Sequence, residues 1–192
     1  MDIQEPEESI PYYQKALEKD ADNIGLIREV GKALVMTHDY NRAIKYYENT
    51  LRDDPMLFDL RIDLAELYIK LKTFDDSKRV LIEALTSIKS HKQDIDTKTR
   101  NVNTLLLLSK VYLEEDMLGT DWKFKSNPDA KQALIEAGAN QVEVIDACRQ
   151  LSNDRLEEER EKAAEISYKL GKYYEEREGG VQDSMAQYND CL

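Results

Sequence analysis

Apolar residues recur at helical spacing along nearly the whole 192-residue chain. Ile27, Val30, Leu34 and Val35 share one face of one predicted helix, and Ile44, Tyr47 and Leu51 share one face of the next. A short polar connection, THDYN, separates the two. The pattern then returns 34 residues later, where GKALVMTHDYNRAIKYYENTL from Gly31 is answered by AELYIKLKTFDDSKRVLIEAL from Ala65.

Laid in register, the copies agree position by position. The first helix carries a small residue at Gly31, Ala65, Ser109 and Gly171, preceded by Val30, Leu64, Leu108 and Leu170. Three residues further on stand Leu34, Tyr68, Tyr112 and Tyr174. The second helix carries a small residue at Ser9, Ala43, Ser77, Ala130 and Ser184, then a bulky one at Tyr13, Tyr47, Leu81, Leu134 and Tyr188. Another small residue follows at Ala16, Thr50, Ala84, Ala137 and Cys191. Two antiparallel helices approach closely only where one side lacks bulk, and a knob from the facing helix fills the gap. One pair cannot bury both of its faces, so stacked neighbours complete the core. Pro55 stops the second helix before the next pair begins.

A 34-residue period with these small and aromatic positions resembles the tetratricopeptide repeat. The expected fold is an all-α tetratricopeptide repeat solenoid of antiparallel helix pairs, a right-handed superhelix whose third repeat is irregular and extended. Residues 1–9 read as an acidic N-terminal tail and 10–192 as the array. A leading helix is expected over 10–20, with repeats at about 23–57, 58–91, 98–152 and 153–192, the last truncated. Gly31, Ala43, Tyr47, Ala65, Tyr68, Ala84, Gly171 and Tyr188 define the repeat. Pro11 is tolerable in the leading helix if Ser9 caps it.

The period breaks in the third copy. LGTDWKFKSNP intervenes before DAKQALIEA, making the spacing nine residues longer than in the regular copies. The helix after it reads as one long element, or as two pieces parted at Gly138. Ser152 or Asn153 is a candidate cap for the next helix, with Glu157 to Glu159 near its positive end. REGG then turns the chain with one residue more than the regular spacing. Both ends cut through repeat units without a polar capping helix, which predicts part of a longer array and self-association through the uncapped ends.

Composition changes this picture little. Charged residues reach 34%, and Gly (7) and Pro (4) are few, as suits helices. The net charge of −12 argues against a nucleic-acid binder or docking on anionic lipid. Neither an apolar leader nor a membrane-spanning run is evident, so a soluble intracellular protein is expected, with Cys148 and Cys191 as free thiols.

Candidate chemistry is thin. His38-Asp39 sits in a turn without convergent ligands, so His38 reads as punctuation and Asp39 as a helix cap. His91 also lies in a connection. There is no phosphate loop or nucleophile elbow, and runs such as LEEERE read as solvated faces. No catalytic, cofactor-binding or metal-binding residue is expected. Trp122 and Phe124 in DWKFK are either loop anchors for a partner or a satellite core over the third pair; the two readings stand level. By register the concave groove includes Arg28, Lys32, Glu66, Lys70, Lys110, Glu114 and Lys172, a surface of the kind that binds peptides or helices. The Lys/Asn carboxylate clamp of chaperone adaptors fits poorly, since Lys32 and Asp63 stand where its two Asn residues belong.

Letters outside the generic repeat carry a closer resemblance. The TH-Y turn, the DLAEL start and the KLK before the second turn are similar to the tetratricopeptide repeat protein 21 family. LLSKVYL, DAKQAL and AAEISYKLGK continue the likeness. The resemblance implies an internal segment of a much longer scaffold in intraflagellar transport complex A, acting in retrograde ciliary transport and cilium assembly. Its partners would be other subunits of that complex, and its location the cytoplasm, cilium and ciliary base. The alternative is a general cytosolic tetratricopeptide adaptor, co-chaperone-like or serving another assembly.

Overall fold

The computed structural model describes residues 6–119, 125–151 and 154–189. Among them are nine α-helices, α1 (Pro6–Leu17), α2 (Ile24–Met36), α3 (Tyr40–Asp53), α4 (Phe58–Lys70), α5 (Phe74–Lys89), α6 (Ile95–Asp116), α7 (Pro128–Gln150), α8 (Leu156–Tyr173) and α9 (Val181–Asn189). A π-helical turn, Tyr174–Glu178, extends α8. The chain divides into two compact units, Met1–Val80 and Leu81–Leu192, with the boundary inside α5.

In the first unit α1 packs on α2, α2 on α3, and α3 on α4. The repeat positions explain the approach of α2 and α3. A β-carbon at Gly31 would fall on the ring of Tyr47, which is 1% exposed, so only glycine lets the two helices meet there. The next small residue, Ser77, donates its hydroxyl to the Ala65 carbonyl at 3.0 Å. Val35 and Ile44 lie at the margin, half-buried, while Ile27, Val30, Leu34 and Leu51 are buried. Pro55 follows the end of α3 as expected.

The leading helix differs from expectation at its start. It begins at Pro6, so Ser9 lies inside it and does not cap it. Pro11 is then an interior proline, offering no N–H to the Glu7 carbonyl; Glu7 is exposed, so water can take that place.

The turns repeat one device. His38 and Lys72 both adopt φ 60°, and the residues after them close the helix end. The Asp39 N–H reaches the Leu34 carbonyl at 3.1 Å and the His38 N–H reaches Val35 at 3.2 Å. Thr73 to Tyr68 and Lys72 to Ile69 are the same bonds, at 3.0 and 2.9 Å. Both are Schellman ends with a bulky residue where glycine is favoured. Lys72→Gly should therefore raise stability by about 0.5–1 kcal/mol in a denaturant melt, left-handed strain relieved outweighing chain entropy gained.

Caps set the other ends. Asn23, Asp39, Asp94 and Asn127 each accept a backbone N–H three residues on. At α8 the cap position is Arg155, with no side-chain cap bond; Ser152 and Asn153 lie outside the described residues. Glu157, Glu158 and Glu159 fill the first turn of α8.

In the second unit α6 packs on α7, α7 on α8, and α8 on α9. Val102 and Leu105 of α6, Ala137, Val144 and Cys148 of α7 and Ile166 of α8 form one core cluster. A second joins Ala130, Leu134, Leu170 and Tyr173. Helix α7 is continuous through Gly138, where a β-carbon would sit 3.6 Å from Ile166, an ordinary contact. The one extra residue near REGG goes into the π turn. Gly179, at φ 62°, ends it, and the Gly180 N–H reaches back six residues to the Tyr174 carbonyl at 3.2 Å, one residue further than at the two regular turns.

Candidate protein-interaction surface

The charged groove positions behave differently once placed. Arg28 on α2 forks onto Asp63 on α4, Nε to Oδ2 at 2.6 Å and Nη2 to Oδ1 at 2.7 Å, with Asp59 at 4.0 Å. The hydrogen bonds that Arg28 donates to Asp63 outweigh burial, which lowers the guanidinium pKa, and with the fields of Asp63 and Asp59 hold it well above its ordinary value. This fork ties consecutive first helices together. Arg28 is therefore engaged within the fold, and Asp63, which stands where the carboxylate clamp would have an Asn, is its partner. Lys70 on α4 lies 5.0 Å from the centre of the Tyr40 ring of α3.

The remaining groove candidates are local pairs or solvated. Lys32 bonds Glu29 at 2.9 Å on its own helix. Lys110 meets Glu114 at 3.6 Å, and Lys172 meets Glu176 at 3.6 Å, both one turn apart. Glu66 is exposed. The structure thus joins Arg28 to Asp63 across two helices, while Lys32, Glu66 and Lys70 are exposed. Trp122, Phe124 and Cys191 lie outside the described residues.

Two polar clusters in the second unit were missed by sequence reasoning. In the first, Glu159 is fully buried, which corrects the reading of LEEERE as a solvated face for this one residue. Its carboxylate accepts from Gln141 Nε2 (2.9 Å), Arg155 (2.8 Å) and Lys162 (3.4 Å). Burial alone would push its pKa up; the bonds from Gln141, Lys162 and Arg155 outweigh burial and hold it below the usual carboxylate value. The chain enters α8 at Arg155, whose other branch reaches Asp96 on α6 at 2.8 Å. Gln141 also donates to the Glu159 carbonyl at 2.7 Å, and its own Oε1 is buried without a partner.

A pH prediction follows with a definite sign. A carboxylate whose folded pKa is depressed stabilises above its unfolded pKa and loses that contribution as pH falls through the folded value. The melting temperature should therefore drop on acidification below pH ~4.5, and Glu159→Gln should flatten that slope. An unchanged slope in the variant would contradict the assignment.

The second cluster anchors the base of the irregular segment. Arg177, 2% exposed on the π turn, donates to Asp116 at the end of α6 (2.8 Å) and to the Lys125 carbonyl (3.4 Å). Asn127 donates to the same Asp116 oxygen at 2.7 Å and its backbone N–H to the Tyr173 hydroxyl at 2.7 Å. Tyr173 returns its proton to the Asn127 carbonyl at 2.9 Å. Lys131 bonds Glu178 at 3.0 Å and lies 4.7 Å from the Tyr174 ring centre; the Glu178 bond raises its pKa. The two departures from the period, in the third copy and at REGG, are thus bound to each other.

None of this is catalytic geometry. His38 is an exposed turn residue, its Nδ1 2.6 Å from the Tyr40 hydroxyl. Cys148 is buried, and burial raises its thiol pKa, the opposite of a reactive thiolate. Among the described residues no group of His, Cys, Asp and Glu is placed to hold a metal ion, and no helix is long and apolar enough to cross a membrane.

Comparison with known proteins decides the family. The model described as "Tetratricopeptide repeat protein 21 forth ARM domain" matches residues 26–192. The chain belongs to the tetratricopeptide repeat protein 21 family. Tetratricopeptide repeat protein 21B of Homo sapiens is 34% identical over 173 residues, covering 90% of this chain and 12% of that protein. Tetratricopeptide repeat protein 21A of Mus musculus is 40% identical over 112 residues, 58% of this chain and 8% of that one. The chain therefore spans a small part of its tetratricopeptide repeat protein 21 relatives. Among solved structures, BtubC from P. vanneervenii has a TM-score of 0.62 at 14% identity, covering 97% of this chain and 71% of that one. MamA 41-end from Desulfovibrio magneticus RS-1 has 0.60 at 15%, covering 97% and 83%. At such identities the likeness concerns the fold alone, which is all-α and of tetratricopeptide repeat type. For a member of the tetratricopeptide repeat protein 21 family, fold and family make the chain a protein-interaction scaffold, and no catalytic family is indicated.

Proposed function

We propose that this chain is a non-catalytic segment of intraflagellar transport complex A, acting in retrograde ciliary transport and cilium assembly by contacts with other subunits. The observation that carries the reading is the family match across residues 26–192. In this reading the array spans 10–192 in units of about 23–57, 58–91, 98–152 and 153–192. Lys32, Glu66 and Lys70 line a partner surface on the first unit, which Arg28 serves by fixing α2 to α4; Lys110, Glu114 and Lys172 line one on the second unit, and Trp122 and Phe124 anchor a partner at the irregular segment. The protein works in the cytoplasm, at the ciliary base and within the cilium.

Tagged protein in a ciliated cell should concentrate at the ciliary base and co-purify complex A subunits. Diffuse cytosolic label with no such subunits recovered would sink the ciliary reading and leave a general cytosolic adaptor. The chaperone version of that alternative predicts binding to an acidic C-terminal peptide through Arg28. The Asp63 fork weighs against it, because the guanidinium is already bonded to a carboxylate.

A further inference from the structure

Helix α7 carries a second apolar stripe besides the one it buries. Ala130, Leu134, Ala137, Val144 and Cys148 belong to the core. On the outer side Ile135, Ala139 and Val142 are exposed, Ile135 by 40% and Val142 by 56%. A surface helix ordinarily shows one apolar stripe and a polar outer face. The other copies supply the comparison. The same register positions hold Glu48 and Arg52 in α3, and Ile82, Thr86 and Lys89 in α5, so α7 alone of the three is apolar throughout. The exposure does not come from an end of the chain. Helix α7 packs on α6 before it and on α8 after it, and Gly138 turns towards Ile166 of α8.

We propose that the outer face of α7 is a docking site for a basic amphipathic α-helix of a partner protein, with Lys or Arg beside its apolar stripe. Ile135, Ala139 and Val142 follow one another at intervals of four and three, the spacing that lets a second helix lie along the first with its knobs between their side chains. Charge selects the helix. Glu136 and Glu143 directly follow Ile135 and Val142 and stand one heptad apart, so they border the stripe along one edge. That edge faces α6, where Lys98 donates to Glu143 at 2.8 Å. The Glu143 side chain is still 60% exposed. Glu136, which accepts from Gln132 of its own helix at 2.8 Å, is exposed as well. A carboxylate accepts more than one hydrogen bond, so both can take a Lys or Arg from outside. A second copy of the chain is the poorer occupant. Paired antiparallel about Ala139, it would set Glu136 of each copy against Glu143 of the other, and like charges there oppose docking.

The inference rests on the scaffold reading of the fold and is independent of the ciliary one, which localisation and co-purification test separately. Its own test titrates the whole chain with a designed helical peptide, leucine along its seam and lysine at both flanks. A twin peptide carries glutamate at the flanks. Followed by NMR, the lysine peptide should bind saturably with shifts at Ile135, Ala139 and Val142, and the twin at least about tenfold more weakly. Val142→Ser, an uncharged change at an exposed position, should leave the melting temperature unchanged and weaken binding about tenfold. Glu136→Lys combined with Glu143→Lys should reverse the preference between the two peptides, while Glu161→Gln on α8 should not alter it. Absence of saturable binding would overturn the proposal. Binding indifferent to Val142→Ser would overturn it too, since general attraction to a chain of net charge −12 behaves that way. A dimer in sedimentation that dissolves on Val142→Ser would assign the face to a second copy and overturn it equally.

Discussion

Gly31→Leu should prevent the first unit from folding as described, and Gly31→Ala should already lower stability measurably. Two effects compete at the alanine. Replacing a helical glycine gains about 1 kcal/mol of helix propensity. The new β-carbon, however, would occupy the space of the Tyr47 ring, with the hydroxyl oxygen only 2.5 Å away. That ring is buried and cannot swing aside without opening α2 from α3. Overpacking costs about 1–3 kcal/mol and more for larger side chains, so the clash wins. At Gly171 the corresponding Tyr188 is half-buried and its hydroxyl bonds Glu175 at 2.8 Å, so its ring has somewhere to go. Gly171→Ala should therefore cost less than Gly31→Ala in paired denaturant melts.

The compensating change is visible in the chain's own copies. Gly31→Ala combined with Tyr47→Leu reproduces the Ala65 and Leu81 combination of the second copy. The double variant should recover part of the loss, a coupling that a thermodynamic cycle measures directly. Equal, additive losses would remove the knob-and-gap account of the repeat.

What the sequence made legible follows from where the information sits. Gly31, Tyr47, Ala65 and Ser77 were readable because packing demands a residue type at a fixed position, and repetition displays that demand several times over. Asp39 was readable as a cap because the need is local. The left-handed backbone at His38 and Lys72 was not, since neither residue type signals it. The extra residue near REGG could be counted, yet only the structure gives it the form of a π turn. Glu159 and Arg177 were hidden for a different reason. In a chain that is 34% charged, a buried charge looks like any other, and its partners Gln141 and Asp116 lie 18 and 61 residues away.

Asp116→Leu should destabilise the second unit by about 3 kcal/mol or more, and by more than Arg177→Met does. The asymmetry comes from burial. Arg177 is 2% exposed, so removing Asp116 takes away the carboxylate 2.8 Å from a buried guanidinium. Removing Arg177 instead leaves Asp116, whose side chain is 20% exposed, with Asn127 at 2.7 Å and access to water. That loss should be closer to about 1–3 kcal/mol. Pairing Asp116→Leu with Arg177→Met replaces both charges by apolar groups, and should cost less than the sum of the single changes. Salt should leave the ranking unchanged, because a buried pair is poorly screened. If both single variants melt like the parent protein, the contact does not hold the π turn to the end of α6, and the two irregularities of the repeat are independent.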